Sequence, residues 1–75
     1  MNNNKEILIK FGDKVREIRT SQNLSQEQLS FKADVHRTYI GMIERGEKNI
    51  TLINIQKIAN ALNIEIKNLF DGITL

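Results

Sequence analysis

Residues able to contact nucleic acid are concentrated in the middle of the chain. Arg37, Thr38 and Tyr39 follow one another, and Met42 and Arg45 come four and seven positions after Thr38, a spacing that shares one helix face. An arginine can bind the O6 and N7 acceptors of guanine, and a threonine can contact a phosphate or a thymine methyl group. A tyrosine can donate to a phosphate or lie against a sugar. Four of these residues are therefore candidate base readers: Arg37, Thr38, Tyr39 and Met42.

A second set of residues is suited to binding phosphate. The free amides at a helix N-terminus attract anions, and several polar or basic residues come near such positions. The candidate phosphate-binding residues are Ser25, Gln26, Lys32, His36, Arg45, Lys48, Asn49 and Thr51. Taken singly, each of these residues has a structural explanation as a cap, a helix former or a solvated charge. Their combination at this spacing favours DNA contact.

Hydrophobic periodicity defines the elements that must position these residues. Apolar residues recur at three- and four-residue steps, which is the helical period, and no segment alternates as a strand does. The sequence contains no proline. It therefore predicts an all-α fold of five helices, at about 5–21, 25–33, 37–45, 51–62 and 67–70. We expect a single domain over 5–75 after a disordered polar tail at 1–4, with a helix-turn-helix motif at about 25–45.

Local signals predict where these helices begin and end. Asn4 is a candidate N-cap for the first helix and Thr51 for the fourth. Ser25, followed three residues later by a glutamine, predicts a capping box. Asp34 lies where the chain must turn sharply, and aspartate tolerates a positive φ. Gly46 is predicted to follow the third helix as its C′ residue.

The apolar pattern predicts a core and an additional apolar surface. The residues expected to be buried are Leu29, Val35, Ile40, Ile43, Leu52 and Leu62. Gly12 lowers helix propensity by about 1 kcal/mol relative to alanine, so close packing must compensate. The last dozen residues are too apolar for a free tail. The predicted dimer interface consists of Ile64, Ile66, Phe70 and Ile73.

Composition argues against several other classes of function. The chain has 75 residues, no cysteine, a single histidine and a formal net charge of +2. It shows no paired carboxylates in an apolar setting, no nucleophile triad and no phosphate-cradling glycine loop, so we expect no enzyme activity, cofactor, metal or small-molecule ligand. No apolar run approaches the length of a membrane span, and the N-terminal residues lack a signal layout. We therefore expect a cytoplasmic protein without a membrane partner.

Three stretches give the motif its family character. LSQEQL at 24–29, ADVHR at 33–37 and IGMIERG at 40–46 resemble the Cro/C1-type, XRE-like helix-turn-helix family. The resemblance extends from about Phe11 to Phe70. It implies a compact lambda-repressor-like domain in which helices 2 and 3 form the motif.

The resemblance also implies roles for particular residues. The start and outer face of the third helix would carry base readout. Gln26 would bind a DNA phosphate and help to orient Arg37. Arg19 and Glu44 would form a partly buried structural ion pair between the first and third helices. Such a pair adds little net stability, although removal of one partner is costly.

Finer sequence features favour one branch of the family. RTYI at 37–40, IERG at 43–46 and NIT at 49–51 look most like the controller proteins of restriction–modification systems. A phage-type Cro protein or repressor remains an alternative, as does an antitoxin that acts mainly through protein contacts. Ser30 replaces the family's usual alanine, so its hydroxyl needs a partner. Asp34 replaces the commoner glycine in the turn.

One recognition helix makes too few contacts for both affinity and specificity at cellular salt. Regulators of this class read two half-sites about one DNA turn (~34 Å) apart by two-fold symmetry. The expected partners are therefore double-stranded operator DNA, read in the major groove, and a second copy of the chain. RNA polymerase is a further candidate partner.

Overall fold

Four α-helices and one 3-10 helix make up residues 5–75, the part of the chain that the computed structural model describes. The elements are α1 (Lys5–Ser21), α2 (Gln26–Ala33), α3 (Arg37–Glu44), α4 (Leu52–Ala61) and a 3-10 helix (Ile66–Phe70). These residues contain no strand, so the all-α prediction is confirmed. The predicted tail at 1–4 and the Asn4 cap lie outside the described residues.

The expectation of five α-helices is wrong at the C-terminal end. Backbone hydrogen bonds run from Asn68 N to Glu65 O at 3.0 Å and from Asp71 N to Asn68 O at 3.4 Å, and both span three residues. The element has five residues and follows an extended Glu65. It is therefore too short to establish α-helical pairing, and the tighter 3-10 turn is the form that short pieces adopt.

Side-chain caps begin three of the helices, two of them at the predicted residues Ser25 and Thr51. Ser25 Oγ accepts from Gln28 N at 3.0 Å while Gln28 Oε1 accepts from Ser25 N at 2.8 Å, which completes the capping box. His36 Nδ1 accepts from Thr38 N at 3.0 Å at the start of α3. Thr51 Oγ1 accepts from the third residue of α4 at 3.2 Å. Each bond satisfies an amide that has no partner within its helix.

All four α-helices end in the same way, with one residue in the left-handed region. These residues are Asn23, Asp34, Gly46 and Asn63, with φ between 57° and 73°. At α3 the Gly46 amide donates to Ile43 O and the Glu47 amide to Met42 O, which is the Schellman pattern. The predicted positive φ at Asp34 and the C′ role of Gly46 are thus confirmed.

One apolar core joins the helices. Leu29, Ile40, Ile43 and Leu62 are buried as predicted, and Val35 is half-buried against the same cluster. The remaining core residues are Phe11, Val15, Ala33, Ile55, Ile58, Ala59 and Leu69.

The predicted burial of Leu52 is wrong. Its side chain is 81% exposed in the single chain. Leu52 shares the apolar stripe of α4 with Ile55, but it lies one turn nearer the start of the helix. Ile55, at 7% exposed, is already the least buried member of the core. The core therefore ends before the first turn of α4, and periodicity alone does not show where a core ends.

Gly12 compensates for its low helix propensity through packing, as predicted. A Cβ atom at this position would lie 2.2 Å from Ile43 O and 3.0 Å from the Glu44 carbonyl oxygen. The backbones of α1 and α3 therefore touch at Gly12. This crossing places the C-terminal end of α3 against α1 and fixes the orientation of the helix that carries the candidate base readers.

Candidate nucleic-acid interface

The turn between α2 and α3 is held by backbone and by core packing. Asp34 adopts φ 57° and ψ 47°, and the Val35 amide donates to Ser30 O at 3.0 Å. Val35 packs against the core from within the turn. The buried Ser30 hydroxyl donates to Glu27 O at 2.7 Å, which supplies the partner that a serine needs here. Both departures from the family pattern therefore fit the motif.

Two candidate base readers project from the start of α3. Arg37 and Thr38 are exposed, whereas Met42 is half-buried one turn further on. Among residues 5–75 the Arg37 side chain makes no hydrogen bond or ion pair, so its guanidinium is available to a ligand. The Thr38 backbone amide donates to His36, and its side-chain hydroxyl makes no hydrogen bond within residues 5–75. The exposed start of α3 thus presents a guanidinium and a hydroxyl side by side.

Tyr39 occupies a different environment from its neighbours. It is half-buried against the core, and its hydroxyl oxygen accepts from Asn54 Nδ2 at 2.9 Å. The Lys48 Nζ atom lies 5.8 Å from the centre of the Tyr39 ring, within the range of a cation–π contact. The tyrosine therefore links α3 to the start of α4, and its own hydroxyl hydrogen remains free to donate.

The predicted ion pair between α1 and α3 is present and has additional partners. Arg19 binds Glu44 through two bonds, Nε to Oε2 at 2.6 Å and Nη2 to Oε1 at 3.0 Å. Arg16 Nε lies 3.5 Å from Oε1, and Gln26 Nε2 donates to that same oxygen at 3.0 Å. Arg19 also donates to Leu24 O at 2.7 Å. A buried carboxylate thus gathers donors from α1 and α2 onto the end of α3.

The protonation of Glu44 depends on these donors. Burial alone raises the pKa of its carboxyl. Hydrogen bonds from Arg19, Gln26 and Arg16, with the charge of Arg19, lower it by more. The resulting pKa lies below the ordinary glutamate value, because every partner stabilises the ionised form.

Gly41, in the middle of α3, is buried. Two side chains cover it. A Cβ atom here would lie 3.1 Å from Arg45 Nη1 and 3.6 Å from Gln26 Oε1. Arg45 is itself exposed and pairs with Glu47 at 3.1 Å, a contact that raises the pKa of its guanidinium further. Gln26 and Arg45, two of the candidate phosphate-binding residues, thus both reach the space above this glycine.

The other candidate phosphate-binding residues lie in several different environments. Ser25 and Thr51 accept capping bonds, but each hydroxyl keeps its own hydrogen. Lys48 and Asn49 are exposed in the loop before α4. Lys32 instead borders a shallow depression with the exposed Phe31 on α2. The structure therefore places Lys48 beside Tyr39, whereas Lys32 lies with residues of α2.

The candidate dimer residues divide into two pairs. Ile64 and Ile73 pack against the core of their own chain. Ile66 and Phe70 are 37% and 38% exposed, and the Phe70 ring lies 5.2 Å from that of Phe11. The first pair is partly buried within the chain, and the second offers more apolar surface to a partner.

Sequence reasoning missed several residues of these surfaces. Arg16 was not assigned to the ion pair, although it lies three residues before Arg19 on one helix and so shares its face. Asn54 was not assigned to Tyr39, and no local pattern links them. Leu52 and Ile53, at 81% and 72% exposed, were not expected on the surface. Consecutive apolar residues at a helix start were the available signal.

Two further features, a metal-binding group and a membrane-spanning helix, are absent from the part of the chain that the structure describes. Among residues 5–75 no group of three or more side chains is arranged to bind a metal ion. No helix there has both the length and the apolar character needed to cross a bilayer.

Comparisons with known proteins agree with this geometry. The family model HTH_3, helix-turn-helix, matches residues 15–69. Control protein C.BamHI of Bacillus amyloliquefaciens is 53% identical over 76 aligned residues, covering 100% of this chain and 91% of the relative. Control protein C.SmaI of Serratia marcescens is 48% identical over 65 residues, covering 87% and 74%.

A solved structure supports the same assignment. The restriction–modification controller protein C.AhdI of Aeromonas hydrophila superposes with a TM-score of 0.85 at 50% identity, covering 85% of this chain and 97% of that one. The family match, the relatives and the superposition all include α2, the turn and α3. The chain therefore belongs to the Cro/C1-type helix-turn-helix family, HTH_3.

Proposed function

We propose that this protein is a sequence-specific DNA-binding transcriptional regulator, and that it is the controller protein of a restriction–modification system. The observation that carries the proposal is the helix pair α2–α3, whose exposed face is fixed by a buried ion pair, in a chain 53% identical along its whole length to C.BamHI. Membership of the helix-turn-helix family supports the DNA-binding role. The names of C.BamHI, C.SmaI and C.AhdI support the controller role.

In the proposed complex, α3 lies in the major groove. Arg37 binds a guanine edge through two hydrogen bonds, and Thr38 and Met42 contact neighbouring bases. Tyr39 is better placed to donate to the DNA backbone, because its ring is packed and its hydroxyl is tied to Asn54. Lys48 next to it would bind phosphate.

The proposed active form is a homodimer on a palindromic or near-palindromic operator. A second copy supplies the second half-site, which a single α3 cannot. Its interface comprises the exposed apolar residues of α4 and the 3-10 helix, namely Leu52, Ile53, Ile66 and Phe70. Ile64 and Ile73, which are partly buried against the core of their own chain, would lie at the edge of this interface. Contact with RNA polymerase stays a prediction.

Selection from a randomised duplex library tests this function. We expect enrichment of a sequence with two-fold symmetry, with half-site centres about 10 base pairs or a multiple apart. Sedimentation should give a complex of two chains per duplex. Uniform binding to all duplexes, or no binding, would refute the regulator. An endonuclease or methyltransferase gene beside the coding sequence would support the controller role.

A further inference from the structure

Two glutamines near the start of α2 have opposite amide orientations. Gln28 directs its oxygen toward the backbone at the start of the helix, where Oε1 accepts from Ser25 N at 2.8 Å. Gln26 turns its nitrogen inward, where Nε2 donates to Glu44 Oε1 at 3.0 Å. The first orientation belongs to an ordinary capping box. The second is set by a residue at the far end of α3.

Glu44 leaves Gln26 a single favourable orientation. An ionised carboxylate only accepts hydrogen bonds, and Glu44 is buried with its charge held by Arg19. A flipped amide would bring the Gln26 oxygen against a carboxylate oxygen and would forfeit one donor. The Gln26 oxygen must therefore face away from Glu44.

This outward oxygen shares the space above Gly41 with a guanidinium. Gln26 Oε1 and Arg45 Nη1 are 3.6 Å and 3.1 Å from the point above Gly41 where a Cβ atom would stand. Arg45 meanwhile bonds Glu47 through its Nε atom at 3.1 Å, which leaves its Nη donors for other acceptors. The absence of a side chain at Gly41 lets the acceptor and the donors approach each other.

We propose that Glu44 is a positioning residue for DNA binding, which fixes the Gln26 amide so that its outward oxygen holds the Arg45 guanidinium against a DNA phosphate. This inference rests on the proposed function and deepens it. Family resemblance pairs Gln26 with Arg37, whereas in the structure the side chains of Gln26 and Arg45 both reach the space above Gly41. The ion pair then serves phosphate binding as well as stability.

Matched glutamate substitutions separate this role from general electrostatics. Both Glu44→Gln and Glu47→Gln remove one negative charge near the end of α3. Simple electrostatics predicts that both strengthen binding to a polyanion. We expect Glu47→Gln to strengthen it. Glu44→Gln should instead weaken it and reduce the slope of log K against log salt by about 0.9 per protomer, the loss of one phosphate contact.

Further variants place the effect at Gln26. Gln26→Met leaves the Arg19–Glu44 pair intact and should weaken binding as Glu44→Gln does, and the double variant should bind no worse than either single one. Without DNA, the Gln26 side-chain amide protons should exchange with water more slowly than those of Gln28 in NMR spectra. Fluorescence anisotropy with the selected duplex supplies the affinities.

Each outcome decides the inference. Equal strengthening by Glu44→Gln and Glu47→Gln would overturn it. Unchanged binding by Gln26→Met would also overturn it, and that result can be obtained even if Glu44→Gln fails to fold. Equal exchange rates for the Gln26 and Gln28 amides would also overturn it. Failure of the unmodified protein to bind any duplex would refute the proposed function instead, and the amide measurement would still stand.

Discussion

The α2–α3 surface and the outer surface of α4 are organised differently. On the first, polar side chains are held in place: Gln26 by Glu44, and Tyr39 by Asn54. On the second, Leu52 and Ile53 are 81% and 72% exposed. The first surface is complete within one chain, as a surface that must meet DNA in a fixed register has to be. The second has the apolar character of a surface that a partner covers.

Loss of the buried arginine should have the largest effect. Arg19→Met leaves the Glu44 carboxylate buried without its two-bond partner, which costs about 3–5 kcal/mol of unfolding free energy. Because small domains have only about 5–15 kcal/mol in all, thermal denaturation should show a much lower midpoint. Arg45→Met removes an arginine from an exposed pair and should leave the midpoint unchanged. Equal midpoints for the two variants would show that the α2–α3 surface does not depend on the buried pair.

Charges on the outer surface of α4 should affect assembly more than folding. Leu52→Glu and Ile53→Glu should each weaken dimerisation by about 10- to 100-fold, the equivalent of roughly 1.5–3 kcal/mol for a buried apolar side chain. Sedimentation equilibrium measures the effect, and thermal midpoints at low concentration check the fold. Phe31→Glu, at a residue 87% exposed on α2, is the control. A dimer that tolerates both α4 changes would place the interface elsewhere.

Removal of the α2 cap should have a smaller effect. Ser25→Ala removes the acceptor of the Gln28 amide and should cost about 1 kcal/mol of unfolding free energy in chemical denaturation. Ser21→Ala removes a hydroxyl that bonds within the last turn of α1, so it provides a serine control away from any N-cap. If Ser25→Ala costs no more than this control, the start of α2 is held by packing instead of its cap.

Low pH should produce the smallest of these effects, the loss of the stability that the ionised Glu44 carboxylate contributes. The pKa of Glu44 is lower in the folded protein than the ordinary 4.5, so the stabilisation is complete above that value and is lost as pH falls through the folded pKa. Unfolding free energies of the unmodified protein and of Glu44→Gln should therefore begin to converge as pH falls below 4.5, and should meet once pH is below the folded pKa. Glu17→Gln alters an exposed pair with Lys14. Its unfolding free energy should change with pH in parallel with that of the unmodified protein. A constant gap between the unmodified protein and Glu44→Gln would contradict the assigned shift.

Local signals explain why so much of the motif was predictable. Capping boxes, N-caps and C′ residues act within a few positions, so Ser25, Thr51 and Gly46 carry their own structural information. The ion pair of Arg19 with Glu44 came from family resemblance, since no local pattern joins residues 25 positions apart. Periodicity likewise identified Leu29 and Ile40 as core residues.

The C-terminal part was less predictable because its structure depends on where neighbouring elements stop. The apolar stripe of α4 that contains Leu52 continues past the edge of the core. The three- and four-residue spacing of apolar residues does not show where that edge lies. The residues around Ile66 are apolar enough for a helix but too few for an α-helix. The orientation of the Gln26 amide depends on Glu44, 18 residues away, and only tertiary structure brings the two together.

In the proposed complex, α3 contacts bases while the loop before α4 binds phosphate. Binding of Arg37→Ala and Lys48→Ala to the selected and to scrambled duplexes, at two salt concentrations, tests it most directly. Arg37→Ala should lose about 1–3 kcal/mol per half-site on the selected duplex alone. Lys48→Ala should weaken both duplexes alike and reduce the salt slope by about one per contact. If Arg37→Ala weakens both duplexes equally, Arg37 contacts the backbone and α3 does not read bases through it.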